Sequence, residues 1–202
     1  AAAASAGLSG FEALSGIPGT IGGAVFMNAG AYDHEIRDIA ATVSAYDPVK
    51  RETVSIGAED AGFVYRGSRF SRSGEIVLEA TFRLTRRPEA DIRADMRDYA
   101  RRRREKQPVE LPSAGSFFKR PPGAYAGALI EKAGLKGRRV GGAQVSEKHA
   151  GFIVNTGGAT TADILELMRL VQNRVLEHSG ILLEPEPRIL PALPDTNRAI
   201  DS

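Results

Sequence analysis

The stretch 7-GLSGFEALSGIPGTIGGAVFMNAGAYDHE-35 decides how this chain is read. It gathers Gly7, Gly10, Gly16, Gly19, Gly22, Gly23 and Gly30 around Pro18, with the small residues Ser15, Thr20, Ala24 and Ala29 between them. Glycine at this density allows positive φ and close approach of the backbone to another molecule. Successive N–H groups in such turns form concave nests for anions, phosphates above all. Ile17, Ile21, Val25 and Met27 are interleaved, which anchors the segment in a core and sets it apart from a flexible Gly/Ser linker. The same glycines also suit a tight, buried set of turns between two layers. Neither Gly-x-Gly-x-x-Gly nor a Gly-Lys-Ser/Thr ending is present, so the two common phosphate loops are excluded.

Working outward, residues 40–47 and 52–56 alternate around the turn signal Asp47-Pro48 and predict a β-hairpin. A short helical turn is expected around residues 58–61. In 76-IVLEATFRL-84 a period of two puts Ile76, Leu78, Ala80, Phe82 and Leu84 on one expected core face. From residue 90 to 106 the spacing of Ile92, Met96 and Tyr99 predicts a helix. It ends in Arg101–Arg104, where cations complement the helix dipole; a solvated face accounts for them, and no interleaved aromatics support a nucleic-acid module. Two prolines in residues 107–112 mark the expected domain boundary. Beyond it a strand starts at Ser116-Phe117-Phe118, a short helix covers 126–132, and an apolar strand covers 152–155. A long helix capped by Thr160 or Thr161 runs to about His178, and Gly180 ends it. Residues 181–190 are extended and broken by prolines, and residues 191–202 carry little that would order them.

Composition bounds the function. The chain has 202 residues, 42% hydrophobic and 26% charged, with a net charge of +2 and no cysteine. These values fit a soluble globular protein with a sizeable core, exclude disulfides and thiolate metal sites, and give no global case for nucleic acid. No apolar run is long enough to span a membrane, the N-terminus lacks the features of a secretory signal, and three scattered histidines match no metal spacing.

Three places could carry chemistry. Tyr65-Arg66 offers a planar fork of donors suited to a carboxylate, although a surface arginine is the ordinary reading. Gly115-Ser116 precedes two phenylalanines and could present a hydroxyl into a dry pocket. The triad spacing and the Gly-x-Ser-x-Gly elbow of serine hydrolases are missing, so a serine proton donor remains. Glu184-Pro185-Glu186-Pro187-Arg188 fixes glutamates in extended geometry, as in an edge strand with exposed charge.

Taken in order, Ser15-Gly16-Ile17-Pro18-Gly19-Thr20-Ile21-Gly22-Gly23-Ala24, Asn28-Ala29-Gly30-Ala31-Tyr32, Tyr65-Arg66, Gly115-Ser116-Phe117-Phe118-Lys119, 121-PPGAY-125, 129-LIEKAGLKG-137, 141-GGAQVSEKHAGFIVN-155 and Glu186-Pro187-Arg188 resemble the UDP-N-acetylenolpyruvoylglucosamine reductase family. The resemblance runs from about Gly7 to about Leu190. It implies an α+β chain: a strand-rich FAD-binding subdomain over 1–107, a smaller α/β substrate-binding domain over 108–182, and a terminal strand with tail over 183–202 returning to the flavin side. In the family a further N-terminal FAD subdomain precedes the glycine stretch, and nothing here matches it. The implied function is a cytoplasmic FAD enzyme of cell-wall precursor synthesis, in which NADPH reduces the flavin and UDP-N-acetylglucosamine enolpyruvate is then reduced to UDP-N-acetylmuramate. Arg66 and Glu186 would stabilise the carbanion-like species and Ser116 would protonate it. Ser15, Gly16, Ile17, Pro18, Gly19, Thr20, Gly22, Gly23, Ala24, Asn28 and Gly30 would contact FAD. Tyr65, Lys106, Lys119, Arg120 and Tyr125 would contact the substrate, Tyr125 covering for a substrate tyrosine carried on an insertion that one branch of the family has and this chain lacks. The family usually has glycine at the position of Asp33. The competing readings are a non-catalytic nucleotide-diphosphate-binding module and another FAD-dependent oxidoreductase of the same fold.

Overall fold

A computed structural model describes residues 1–190; the tail from residue 191 lies outside the described residues. The chain forms two compact units that divide between Arg102 and Arg103.

The first unit contains α1 (Ala2–Ser5), β1 (Leu8–Ser9), α2 (Ile21–Phe26), β2 (Gly30–Ala31), β3 (His34–Glu35), β4 (Ala40–Asp47), β5 (Glu52–Gly57), α3 (Phe70–Ser73), β6 (Ile76–Phe82), β7 (Thr85–Arg86) and most of α4 (Glu89–Lys106). Its centre is an antiparallel sheet of order β5-β4-β6. The expected hairpin is β4–β5, in register from Thr42↔Gly57 to Asp47↔Glu52. Asp47 closes its turn by accepting the N–H groups of Val49 and Lys50 on Oδ1, at 2.9 and 3.1 Å. This is the local chelation that makes aspartate a turn residue. Val43 and Ala45 of β4 are fully buried and pack with Val25, Ile36 and Phe70.

On β6 the structure corrects the simple alternation. Val43 pairs with Ala80 and Ser44 with Glu79, but Ala45 pairs with Val77, so one residue is skipped. Such a bulge exchanges the two faces of a strand. Val77 therefore joins Ala80 and Phe82 against the core, while Ile76 and Leu78 stand 56% and 57% exposed.

The second unit holds the end of α4, then β8 (Ser113–Ser116), α5 (Ala126–Lys132), β9 (Arg139–Val140), β10 (Ala143–Val145), β11 (Phe152–Asn155) and α6 (Thr161–Ser179). The antiparallel order is β8-β11-β10-β9. Leu167, Met168, Val171 and Val175 of α6 are buried, in one core with Phe117, Phe118, Ile130 and Leu135. Thr160 caps α6 reciprocally: its Oγ1 accepts Asp163 N–H at 3.1 Å, and the Asp163 carboxylate accepts Thr160 N–H at 2.9 Å. Gly180, at φ 71°, ends the helix in the left-handed conformation.

The two units divide between Arg102 and Arg103, a few residues before the proline stretch 107–112, and Pro112 C=O accepts Asn155 N–H at 2.8 Å. The segment from residue 183 to 186 pairs within the second unit. Prolines at 185 and 187 leave Glu186 the donor between them, and its N–H goes to Phe117 C=O at 2.9 Å. Lys119 N–H reaches Glu184 C=O at 2.8 Å, and Gln172 Nε2 of α6 reaches Leu183 C=O at 2.8 Å.

Candidate active site

In the first unit the glycine stretch becomes a loop and a short helix rather than a continuous nest. Gly16 and Gly19 take φ of 88° and 136°. Gly22 and Gly23 are helical, because Thr20 Oγ1 accepts Gly23 N–H at 3.1 Å and so starts α2. Ser15 Oγ donates to Glu12 C=O at 2.6 Å, which fixes the loop entry. Gly16, Pro18, Gly19, Thr20, Ile21 and Gly23 are exposed, while Val25 anchors the helix at full burial. A cleft of about 340 Å³ adjoins the loop, lined by Ser15, Gly16, Ile17 and Ile21 on one side and by Ile92 and Met96 of α4 on another.

Glu12 also lines this cleft, and the sequence patterns did not single it out. It is 8% exposed. Burial alone would push its carboxyl up. Hydrogen bonds from Ser9 Oγ at 2.6 Å and Gly10 N–H at 2.7 Å, with Arg87 3.9 Å away, outweigh that and hold it below the usual range. The signal for it was local: Ser9 and Gly10 stand three and two residues before an acid that must enter an apolar run.

Tyr65-Arg66 forms the tip of a tight hairpin. Val64 N–H meets Gly67 C=O at 3.0 Å and Gly67 N–H meets Val64 C=O at 3.2 Å. Arg66 sits at φ 52°, in the left-handed region. Its guanidinium donates to Gly30 C=O at 3.2 Å and lies 4.9 Å from the Tyr65 ring. Asn28, fully buried at φ 45°, has both Nδ2 hydrogens engaged, with Glu35 Oε2 at 2.8 Å and Val64 C=O at 3.0 Å. Its Oδ1 accepts Arg37 N–H at 3.0 Å. The side chain expected to meet a cofactor is thus spent inside the fold.

In the second unit Ser116 ends β8 and is exposed, so its hydroxyl faces outward rather than into a dry pocket of that unit. Gly115 before it takes φ 80° with open space around it, while Phe117 and Phe118 turn into the core. The next residue pairs with Glu186, so Ser116 and Glu186 occupy neighbouring antiparallel segments. Lys119 lies on the same ladder and pairs with the Glu184 carboxylate. The Arg120 guanidinium lies 4.0 Å from the centre of the Tyr125 ring, and that ring is 62% exposed. Lys106 is exposed at the end of α4. His149 offers Ser116 no base: its Nδ1 accepts Gly151 N–H at 3.0 Å, and burial pushes its pKa down. Arg66 and Tyr65 therefore belong to the first unit, and Ser116, Lys119, Arg120, Tyr125 and Glu186 to the second. In the arginine run, Arg101 and Arg102 both pair with Asp98, at 2.5 and 2.6 Å. Among the described residues no group of His, Asp and Glu could hold a metal ion, and no helix is long and apolar enough to cross a membrane.

A family model described as "UDP-N-acetylenolpyruvoylglucosamine reductase, C-terminal domain" matches residues 107–190. The crystal structure of UDP-N-acetylenolpyruvylglucosamine reductase (MurB) from Thermus caldophilus superimposes with a TM-score of 0.82 at 42% identity, covering 94% of this chain and 67% of that one. The chain belongs to the UDP-N-acetylenolpyruvoylglucosamine reductase family. Among curated reductases of this family it is 50% identical over 189 residues to that of Syntrophomonas wolfei and 51% identical over 186 residues to that of Caldicellulosiruptor bescii. These alignments cover 94% and 91% of this chain but 63% and 59% of the relatives, so the chain spans about three fifths of their length.

Proposed function

We propose that this chain carries the working residues of an FAD-dependent, NADPH-oxidising reductase that converts UDP-N-acetylglucosamine enolpyruvate to UDP-N-acetylmuramate in peptidoglycan precursor synthesis. What carries the reading is the backbone placement of the residues in question, in a chain half identical to curated reductases. Arg66 is tied to Gly30 at the tip of a strained hairpin, and Ser116 and Glu186 are set side by side by the Phe117–Glu186 hydrogen bond.

The chain's own groups fit a flavin. Gly16 to Ile21 expose backbone beside an apolar cleft, Gly19 has open space where a Cβ would project, and the amides of Gly19 and Thr20 are unpaired among the described residues. Ser15, Gly16, Ile17, Pro18, Gly19, Thr20, Gly22, Gly23 and Ala24 would hold it. When bound it supplies hydride to the enol-ether methylene of the substrate, at the expense of NADPH. Hydride addition there makes the neighbouring carbon electron-rich, and the charge spreads onto the adjoining carboxylate. Arg66 presents a planar donor fork to that carboxylate, with Glu186 as its partner in holding the charge in place. Ser116 Oγ–H gives its proton to the electron-rich carbon and regains one from water, for which its exposure is suited. Tyr65, Lys106, Lys119, Arg120 and Tyr125 serve the nucleotide-sugar end. The Arg120–Tyr125 stack offers a flat cationic face to a ring and a diphosphate.

The test is the visible absorption spectrum, as purified and after adding FAD. The expected outcome is a flavin spectrum that NADPH bleaches and, without oxygen, the enolpyruvyl sugar nucleotide restores. A bound flavin that NADPH reduces but this substrate fails to reoxidise would overturn the reading.

A further inference from the structure

We infer that Asn28 and Gly30 do not touch the cofactor but position Arg66, acting through the hairpin that carries it. The inference rests on the reading of Arg66 given under the proposed function, and it changes the role of two residues that the family resemblance places at the flavin.

Every polar atom of the Asn28 side chain is engaged within the first unit, and three different segments meet on it. Its Nδ2 donates to Val64 C=O at 3.0 Å, at the base of the Arg66 hairpin, and to Glu35 Oε2 at 2.8 Å on β3. Its Oδ1 accepts Arg37 N–H at 3.0 Å, in the turn after β3. Glu35 is itself fixed: Oε2 is 2.9 Å from Arg37 Nε, and Glu35 N–H reaches Asp38 Oδ2 at 2.7 Å. The other side of the hairpin is tied as well. Ser68, fully buried, donates from Oγ to Phe26 C=O at 2.8 Å. The hairpin is therefore held at both of its strands, on groups at the end of α2.

Gly30 completes the clamp. Its carbonyl accepts Arg66 Nη2 at 3.2 Å. A Cβ at Gly30 would lie 2.7 Å from Glu35 Cγ, 2.8 Å from His34 C=O and 3.5 Å from Arg66 Nη1. Only glycine lets the β2–β3 pair, Glu35 and the guanidinium share that space. The left-handed backbone at Arg66, φ 52°, is unfavourable for arginine by itself and persists where surrounding structure over-determines it. Asn28, Ser68 and Gly30 supply that over-determination.

The test uses flavin-loaded protein carrying Asn28→Asp, Asn28→Ala, Arg66→Ala, or Asn28→Ala with Arg66→Ala. FAD affinity, reduction by NADPH and reoxidation by the enolpyruvyl substrate are measured separately, with amide hydrogen exchange on the unloaded chain. The Asn28 variants are expected to slow reoxidation by about tenfold to a hundredfold while leaving FAD affinity and reduction by NADPH unchanged. Exchange should quicken at Val64 and Gly67 and not across β4–β6. The double variant should be no slower than Arg66→Ala. Loss of FAD affinity, slower flavin reduction, or a double variant slower by the full Asn28→Ala factor would overturn the inference. If the Asn28 variants unfold, shown by faster exchange across β4–β6, Glu35→Gln is the milder disturbance and should reproduce the pattern at Val64 and Gly67. If Arg66→Ala reoxidises at the parental rate, the role given to Arg66 fails. Exchange at Val64 and Gly67 then decides the tie itself: unchanged protection in Asn28→Asp overturns it.

Discussion

Asp33 and Tyr32 turn the chain between β2 and β3 with φ of 63° and 53°, and both central residues of a two-residue hairpin of that type need the left-handed region. Glycine enters it freely and aspartate at a modest cost. Asp33→Gly is therefore expected to raise stability by about 0.5 kcal/mol, net of glycine's greater unfolded-state entropy. A shift in urea midpoint at constant slope is the readout, and a lowered midpoint would refute the argument. The Glu75 carboxylate, 6% exposed, is a stronger case. Arg69 grips it with Nε at 2.9 Å and Nη2 at 2.8 Å, and Ser73 Oγ adds a bond at 2.6 Å. The bond to Arg69 outweighs burial and holds Glu75 below the ordinary glutamate range. Its stabilising contribution is complete above about pH 4.3, where an unfolded glutamate ionises, and is lost as pH falls through the lower folded value. Glu75→Gln should cost about 2 kcal/mol at neutral pH and flatten the loss of stability in acid. An acid limb as steep as the parent's would show that other carboxylates, such as Glu12, carry it. Residues of this kind were hard to find in the sequence. Asn28 and Glu75 depend on Val64 and Arg69, whose closeness only the folded chain reveals, whereas Asp47 and Thr160 act on neighbours two or three residues away and declare themselves by type and position; Glu12 has equally near partners in Ser9 and Gly10 but stands in no turn or cap pattern.

The same distinction orders the elements. α6 was legible because a cap, a period and a glycine stop lie within its stretch, α5 because its short run ends at Gly134, at φ 71°, and α4 because of its period and its graded charge. The pairs β1–β7 and β9–β10 were not, since strands of two or three residues carry no period and their partners come from elsewhere in the chain. Between these extremes is β6, whose length was legible and whose faces were inverted along part of it by the slip opposite Ala45. The slip makes a sharp prediction. Leu78→Thr, on the exposed face, should change stability by less than about 0.5 kcal/mol, whereas Val77→Thr, on the core face, should cost about 1 kcal/mol or more. Unbroken alternation demands the reverse order, so two denaturation curves decide it. For α6, loss of the reciprocal cap in Thr160→Ala should cost about 1 kcal/mol. The exposed Thr161, one residue on, makes no such bond among the described residues, and its alanine variant should be near neutral.

At the scale of the molecule, the residues proposed for chemistry are divided between two units, each with its own core. The glycine loop and Arg66 are built by the first unit, Ser116 and Glu186 by the second. The proposed reaction has two halves, and they ask different things of Ser116. Reduction of the flavin by NADPH asks nothing of a proton donor on β8, whereas reduction of the enolpyruvyl carbon ends with a proton delivered to carbon. Ser116→Ala is therefore expected to leave bleaching by NADPH at the parental rate and to slow reoxidation by the substrate about a hundredfold to ten-thousandfold, or about 3–5 kcal/mol of barrier. Because the hydroxyl is exposed and makes no hydrogen bond among the described residues, its removal leaves no orphaned partner and no cavity, so the melting temperature should not move. That separates a chemical loss from a structural one. Stopped-flow traces of the two half-reactions give the answer: equal slowing of both, or a slow step restored by raising substrate concentration, would remove Ser116 from the proton transfer and leave it a binding contact. A solvent deuterium isotope effect on reoxidation sharpens the distinction. In the parent it should report the Oγ–H transfer. In Ser116→Ala the proton must come from water, so an unchanged isotope effect and rate together would mean that water was the donor from the start.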